Sequence, residues 1–192
     1  MTIRDYLRRQ ARLHPCLQPQ DVIKLCYQAA FGAEHLLSDI TAARRYFEEE
    51  MASIKASDEP LVEPISPGFC RVNLGAWIKK GLPPDWLFTM FVLTAENGDA
   101  GNTANMLQLL GVASKLAQEG AFPFSAAEWR AARAAYEAGG IRALHHSDIY
   151  RKQERPAYRV VSQGLTSLIP LLRRLMVLPE KEGAYVIAID GR

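Results

Sequence analysis

The sequence predicts a mainly α-helical domain: a multi-helix orthogonal bundle with one proline-rich loop and one C-terminal β-strand. Three observations predict it. Helix start and stop signals recur along most of the 192 residues, as capping boxes, helix-opening prolines and glycine stops. Residues 56–74 hold three prolines and a glycine and lack a helical period. The six mostly apolar, β-favouring residues 184–189 run straight into Asp190-Gly191, as a buried parallel strand entering a glycine turn does.

Each element follows from local chemistry. Thr2 and Asp5 form a capping box that opens a helix to about residue 14, and Pro15 ends it. Pro19-Gln20-Asp21 starts a second helix through Phe31; Val22, Cys26 and Ala29 lie on one stripe and Gly32 closes it. A third helix covers about 40–55, with Glu48, Glu49 and Glu50 on a solvated face. Residues 56–74 read as loop with a short strand. Pro83-Pro84-Asp85 opens a strongly apolar core helix over 86–95, and residues 97–101 form a turn. Helices at about 102–118 and 125–138 follow, the latter framed by a Ser125/Glu128 capping box and Gly139-Gly140. Residues 145–154 form a short helix or turn. Pro156 opens a last long helix to about 178, kinked at Pro170. The division that follows is a helical domain over 1–178, a polar linker over 179–183, and over 184–192 the first strand and start of a truncated P-loop domain.

Composition narrows the function classes. With 48% hydrophobic and 23% charged residues the chain is an ordinary globular sequence, which argues against disorder. A net charge of +2 argues against nucleic acid as the main partner. Three cysteines, Cys16, Cys26 and Cys70, without C-x-x-C spacing imply reduced thiols and a cytoplasmic setting. No apolar run approaches the roughly 20 residues that span a bilayer, so no membrane partner is expected.

Three segments could carry chemistry. His35, just beyond the Gly32 stop, is either a C-terminal cap or an acid/base group where a cleft opens. The stiff loop from Glu63 to Leu74 offers Glu63, Arg71 and Asn73; either it positions them for a ligand or Glu63 and Arg71 pair with each other. The stretch 142–159 packs four arginines, one lysine, two histidines and two tyrosines into 18 residues. Ser147 is a helix N-cap candidate there, Arg151 and Arg155 fall one turn apart, and Pro156 would begin a helix within reach of Arg159. The alternative is a solvated connector whose arginines pair with Asp148 and Glu154. No H-E-x-x-H, H-x-H or C-x-x-C spacing occurs, so no metal is expected.

Val186-Ile-Ala-Ile-Asp-Gly191 resembles the first strand and loop entry of P-loop nucleoside kinases of the uridine kinase-like group. Phe31-Gly-Ala-Glu-His-Leu36, Arg71-Val-Asn-Leu74, His146-Ser-Asp-Ile-Tyr-Arg151 and Pro156-Ala-Tyr-Arg-Val-Val161 resemble a helical region ahead of such a kinase domain in some bacterial proteins. The resemblance implies a chain cut at the mouth of a phosphate-binding loop, with Gly191 its one P-loop position and a C-terminal kinase-like domain as a partner in cis. Without the Gly-Lys-Ser/Thr of that loop, this chain alone is not expected to be a kinase. ATP and magnesium are expected only if a complete P-loop domain follows.

The leading expectation is an accessory domain that binds a small anionic ligand, phosphorylated or nucleoside-type. Arg71, Arg151 and Arg159 would hold the charge, His35 and His146 would donate hydrogen bonds, and Glu63 and Tyr150 would read hydroxyls, with Asn73, Ser147 and Tyr158 beside them. The alternatives are a standalone enzyme acting on a phosphoester or glycosidic bond through His35, His146 and Glu63, an RNA-binding domain, and a structural interaction domain.

Overall fold

The computed structural model describes residues 2–33, 39–96 and 103–178. It is mainly helical, with a small antiparallel sheet set among the helices. The elements run α1 (Ile3–Leu13), α2 (Pro19–Phe31), α3 (Ile40–Ser53), β1 (Val62–Pro64), β2 (Phe69–Asn73), α4 (Leu74–Lys79), α5 (Pro84–Glu96), α6 (Thr103–Gln118), α7 (Ala126–Ala138), α8 (Asp148–Glu154), β3 (Tyr158–Ser162), α9 (Gln163–Thr166) and α10 (Ile169–Met176). No helix among the described residues is long and apolar enough to cross a membrane.

The local signals act where the sequence places them. Thr2 and Asp5 close a reciprocal capping box on α1, and Ser125 and Glu128 do the same on α7. α2 is buried nearly all round, through Val22, Ile23, Leu25, Cys26, Tyr27, Ala29 and Phe31, because it packs against α1, α6 and α7 together. Gly32 ends it at φ 64° and ψ −126°, a region closed to residues with a Cβ. A Cβ there would also lie 2.5 Å from the Phe69 ring. Gly32→Ala is expected to destabilise the fold by about 1–3 kcal/mol, mostly through backbone strain because the ring can swing away. Urea unfolding of the variant checks this; an unchanged midpoint would mean that the left-handed stop is not needed.

Three sequence expectations require correction: the strand count, the long helix from Pro156 and the proline-rich loop. The expected single strand at 184–192 lies outside the described residues, as does the linker at 179–183. The described residues instead hold three strands, in the order β1-β2-β3. The long helix expected from Pro156 is replaced at Tyr158–Ser162 by β3. Arg155 takes a left-handed conformation at φ 44° and breaks the chain out of α8. Val160 and Val161 then favour extended backbone and pair with Arg71 and Cys70 of β2. Helix resumes only at α9 and α10. The proline-rich stretch is likewise more ordered than a loop, since it supplies β1, β2 and the start of α4.

Register decides what faces what. Glu63 opposes Arg71, and Arg71 opposes Val160; Asn73 opposes Tyr158, and Val72 opposes Arg159. Because side chains alternate along a strand, Glu63, Arg71, Asn73 and Tyr158 share one face, while Arg159 projects from the other. The first face meets α1 and α2 through Gln10 and Gln28. The second meets α3 and α5, where the Arg159 guanidinium lies over Phe47 and Phe91 and pairs with Glu50 at 2.6 Å.

Candidate functional site

The first sheet face carries a chain of buried polar groups that begins at Asp21, which is fully buried. Asp21 sits at the third position of α2 and accepts from the Gln18 backbone N–H at 2.9 Å, closing that helix's first turn. Its carboxylate also accepts from the Ser147 backbone N–H at 2.8 Å and from the Ser147 hydroxyl at 2.7 Å. His146 Nδ1 lies 2.9 Å from the same carboxylate. An ionised carboxylate only accepts, so Nδ1 carries the imidazole proton and Nε2 is left as an acceptor. The Tyr158 hydroxyl fills it at 2.8 Å. The Tyr158 oxygen in turn accepts from Gln28 Nε2 and from Arg71 Nη2, each at 3.0 Å. A phenol has one donor and two acceptor positions, so this hydroxyl is fully used.

Charge follows the same pattern. Burial would raise the Asp21 carboxyl, but bonds from His146, Ser147 and Gln18 outweigh it and hold the group below its ordinary value. Burial pushes His146 down from 6.5 to about 4, against the opposing bond from Asp21, so the ring is neutral near pH 7. A folded value below the unfolded one means that the unfolded chain takes up the proton first as pH falls. The stabilisation from His146 is therefore complete above about 6.5 and is lost between 6.5 and about 4. Asp21, also depressed, loses its share at still lower pH. Unfolding free energy is expected to drop by up to about 3 kcal/mol over the His146 window. In His146→Asn the drop should be visibly shallower; parallel curves for the two proteins between pH 4.5 and 7 would contradict the assignment.

Arg71 stands at the far end of the chain of polar groups, in the centre of β2 and 5% exposed. Nη2 donates to Gln28 Oε1 at 3.0 Å and to the Tyr158 hydroxyl, and Nη1 donates to Gln10 Oε1 at 3.2 Å. The guanidinium lies 4.1 Å over the Tyr158 ring. Burial works against its charge, but the surrounding tyrosines and Glu63 raise it further, so it stays protonated. Its direct partners are therefore neutral oxygens. The one carboxylate paired with it among the described residues, Glu63, is 3.9 Å away, is bonded by Gln10 Nε2 at 2.9 Å, and is shared with Arg9 at 3.7 Å. Two guanidiniums thus divide one anion. Arg71 Nε is buried and has no hydrogen-bond partner among the described residues. The same holds for the hydroxyl of Tyr6, whose ring centre is 5.6 Å from the guanidinium. Buried donors are nearly always satisfied in folded proteins.

Of these groups Arg71, Glu63, Gln10, Arg9 and Tyr158 line a cleft of about 580 Å³. Its walls come from the C-terminal half of α1, residues 54–60, the sheet face and the end of α8. Gly75 lets the wall at 55–57 close in: a Cβ there would stand 2.8 Å from the Lys55 carbonyl oxygen and the Ser57 hydroxyl. Of the expected residues, Glu63, Arg71, Asn73, Tyr150 and Tyr158 line this cleft. Asn73 is committed to capping α4, through Ala76 N–H at 2.8 Å, and also bonds Glu59. Tyr150 is buried beneath, stacked on His146 at a centroid distance of 4.4 Å. His146 and Ser147 serve the network behind the floor and do not line the cleft. Arg151 is exposed and lies 3.8 Å from Asp148, and Arg159 belongs to the opposite sheet face. His35 and Gly191 lie outside the described residues. No cluster able to hold a metal ion occurs among the described residues.

Several cleft or network residues escaped the sequence reading. Asp21 is indistinguishable from an ordinary first-turn acid, and Gln10 and Gln28 carry no motif. Glu154, read as a solvated partner, is one-quarter exposed. It accepts from the Cys16 thiol at 3.1 Å, and its other oxygen lies 2.8 Å from His14 Nδ1 at an angle that makes no hydrogen bond. Searches against family models, curated proteins and solved structures match the chain to nothing.

Proposed function

We propose that the chain is a ligand-recognition domain whose cleft binds a small anionic molecule, of phosphorylated or nucleoside type, and that it serves a kinase-like P-loop module in cis. One observation carries the reading: a buried guanidinium that, among the described residues, has an unpartnered N–H and shares its one paired carboxylate with a second arginine lines a cavity of about 580 Å³. That volume suits a small ligand. Guanidinium is the side chain best matched to phosphate and carboxylate oxygens. The accessory role draws on the likeness of residues 184–191 to the entry of a P-loop kinase domain.

A binding role also fits the fate of the expected acid/base group. Both ring nitrogens of His146 are occupied, by Asp21 and by Tyr158, which leaves no position for a substrate proton. Isothermal titration with a panel of phosphate monoesters and nucleoside monophosphates tests the proposal. Binding is expected for the native chain and for Arg151→Lys, whose exposed side chain lies outside the cleft. Absence of binding to every member of the panel would overturn it.

A further inference from the structure

The cleft is lined by side chains of both charge signs. At Arg71, two guanidiniums share the single carboxylate of Glu63, which leaves an excess of positive charge. The same cleft is lined by Glu154. That carboxylate has the Cys16 thiol and the His14 imidazole as neighbours, and no lysine or arginine among the described residues comes within 4.0 Å of it. The Cys16 thiol is pushed up to about 11, chiefly by burial and then by its bond to Glu154, so it offers a neutral S–H and no counter-charge. A purely anionic guest would be drawn to Arg71 and repelled by Glu154. A guest with a cationic group as well would satisfy both.

Building on the anion-binding reading, we propose that the ligand of this cleft is zwitterionic: a small phosphate or carboxylate compound that also bears an ammonium group, with the anion at Arg71 and the ammonium at Glu154. Arg71 lines the cleft, and its Nε is a buried donor without a partner among the described residues, which an anion held there would satisfy. Glu154, one-quarter exposed, supplies an acceptor whose desolvation on binding strengthens a charged hydrogen bond. Leu13, Ile54 and Pro156, which also line the cleft, give the linker between the two charges an apolar surface.

The test compares ω-aminoalkyl phosphates of two to four carbons with their N-acetyl derivatives and with ethyl phosphate, all titrated into the native chain. The best aminoalkyl phosphate is expected to bind about tenfold more tightly than its N-acetyl derivative, the size of one charge-assisted hydrogen bond. Glu154→Gln is expected to erase that difference and, by removing the repulsion, to tighten ethyl phosphate. The ligand-side comparison stands by itself should the variant fold poorly. Equal binding of amine, N-acetyl and ethyl compounds would overturn the zwitterion while leaving anion binding at Arg71 intact. No binding by any of them would overturn the anion reading itself.

Discussion

Replacing Asp21 with alanine is expected to destabilise the protein by about 3–5 kcal/mol, more than any other single replacement in the buried polar network. The size comes from what is left behind. Asp21 is fully buried and satisfies four donors: the Gln18 and Ser147 backbone N–H groups, the Ser147 hydroxyl and His146 Nδ1. Three of these cannot turn away, and each stranded buried donor costs roughly 1–3 kcal/mol. The substitution also frees the imidazole from its fixed tautomer, so the Tyr158 hydroxyl loses a defined acceptor and Arg71 loses part of its frame. Asp21→Asn restores the shape but sets an amide N–H against donors on Ser147 or His146, so it recovers only part of the loss. Urea denaturation at pH 7 measures both variants. A loss below about 1 kcal/mol for Asp21→Ala would show that water replaces the carboxylate cheaply.

Arg71→Met is expected to weaken binding of a phosphate monoester at least about tenfold, the loss of one charge-assisted hydrogen bond together with the positive charge beside the anion. Its stability cost should be smaller than that of Asp21→Ala. Methionine fills much of the volume and removes a buried charge, which offsets the acceptors stranded on Gln10, Gln28 and Tyr158. Arg71→Lys keeps the charge but cannot reproduce the planar fork. It should therefore retain the fold better than it retains binding. Near-native affinity in Arg71→Met, in a variant that melts normally, would place the anion elsewhere.

The helices were legible because their signals are local. The Thr2/Asp5 and Ser125/Glu128 boxes, the Ser147 cap and the Gly32 stop each involve residues within a turn of one another. A short strand within 56–74 is legible, but β3 is not, because it finds its partner nearly ninety residues upstream. Pro156 gave a local helix signal that this pairing overrides. The site divides in the same way. Arg71 and Glu63 fall in one short stretch and prove to be register partners, so their proximity could be read directly. Asp21 and His146 are 125 residues apart, and nothing local distinguishes Asp21 from any first-turn acid. Composition groups Arg159 with Arg71. Strand alternation, invisible while the segment is taken for helix, sends it to the opposite face.

The Arg71 Nε–H resonance offers the most direct observation. It belongs to a buried donor without a protein partner among the described residues, so a bound anion should capture it. In a 1H–15N spectrum of the arginine side chains, titration with a phosphate monoester should move that signal strongly downfield and saturate with the same affinity that calorimetry reports. Arg71→Lys should identify the signal by its loss. A resonance that stays fixed while the ligand binds, or a protein that takes up no phosphate monoester at all, would mean that the guanidinium is there to hold the sheet to α1 and α2 and not to hold an anion.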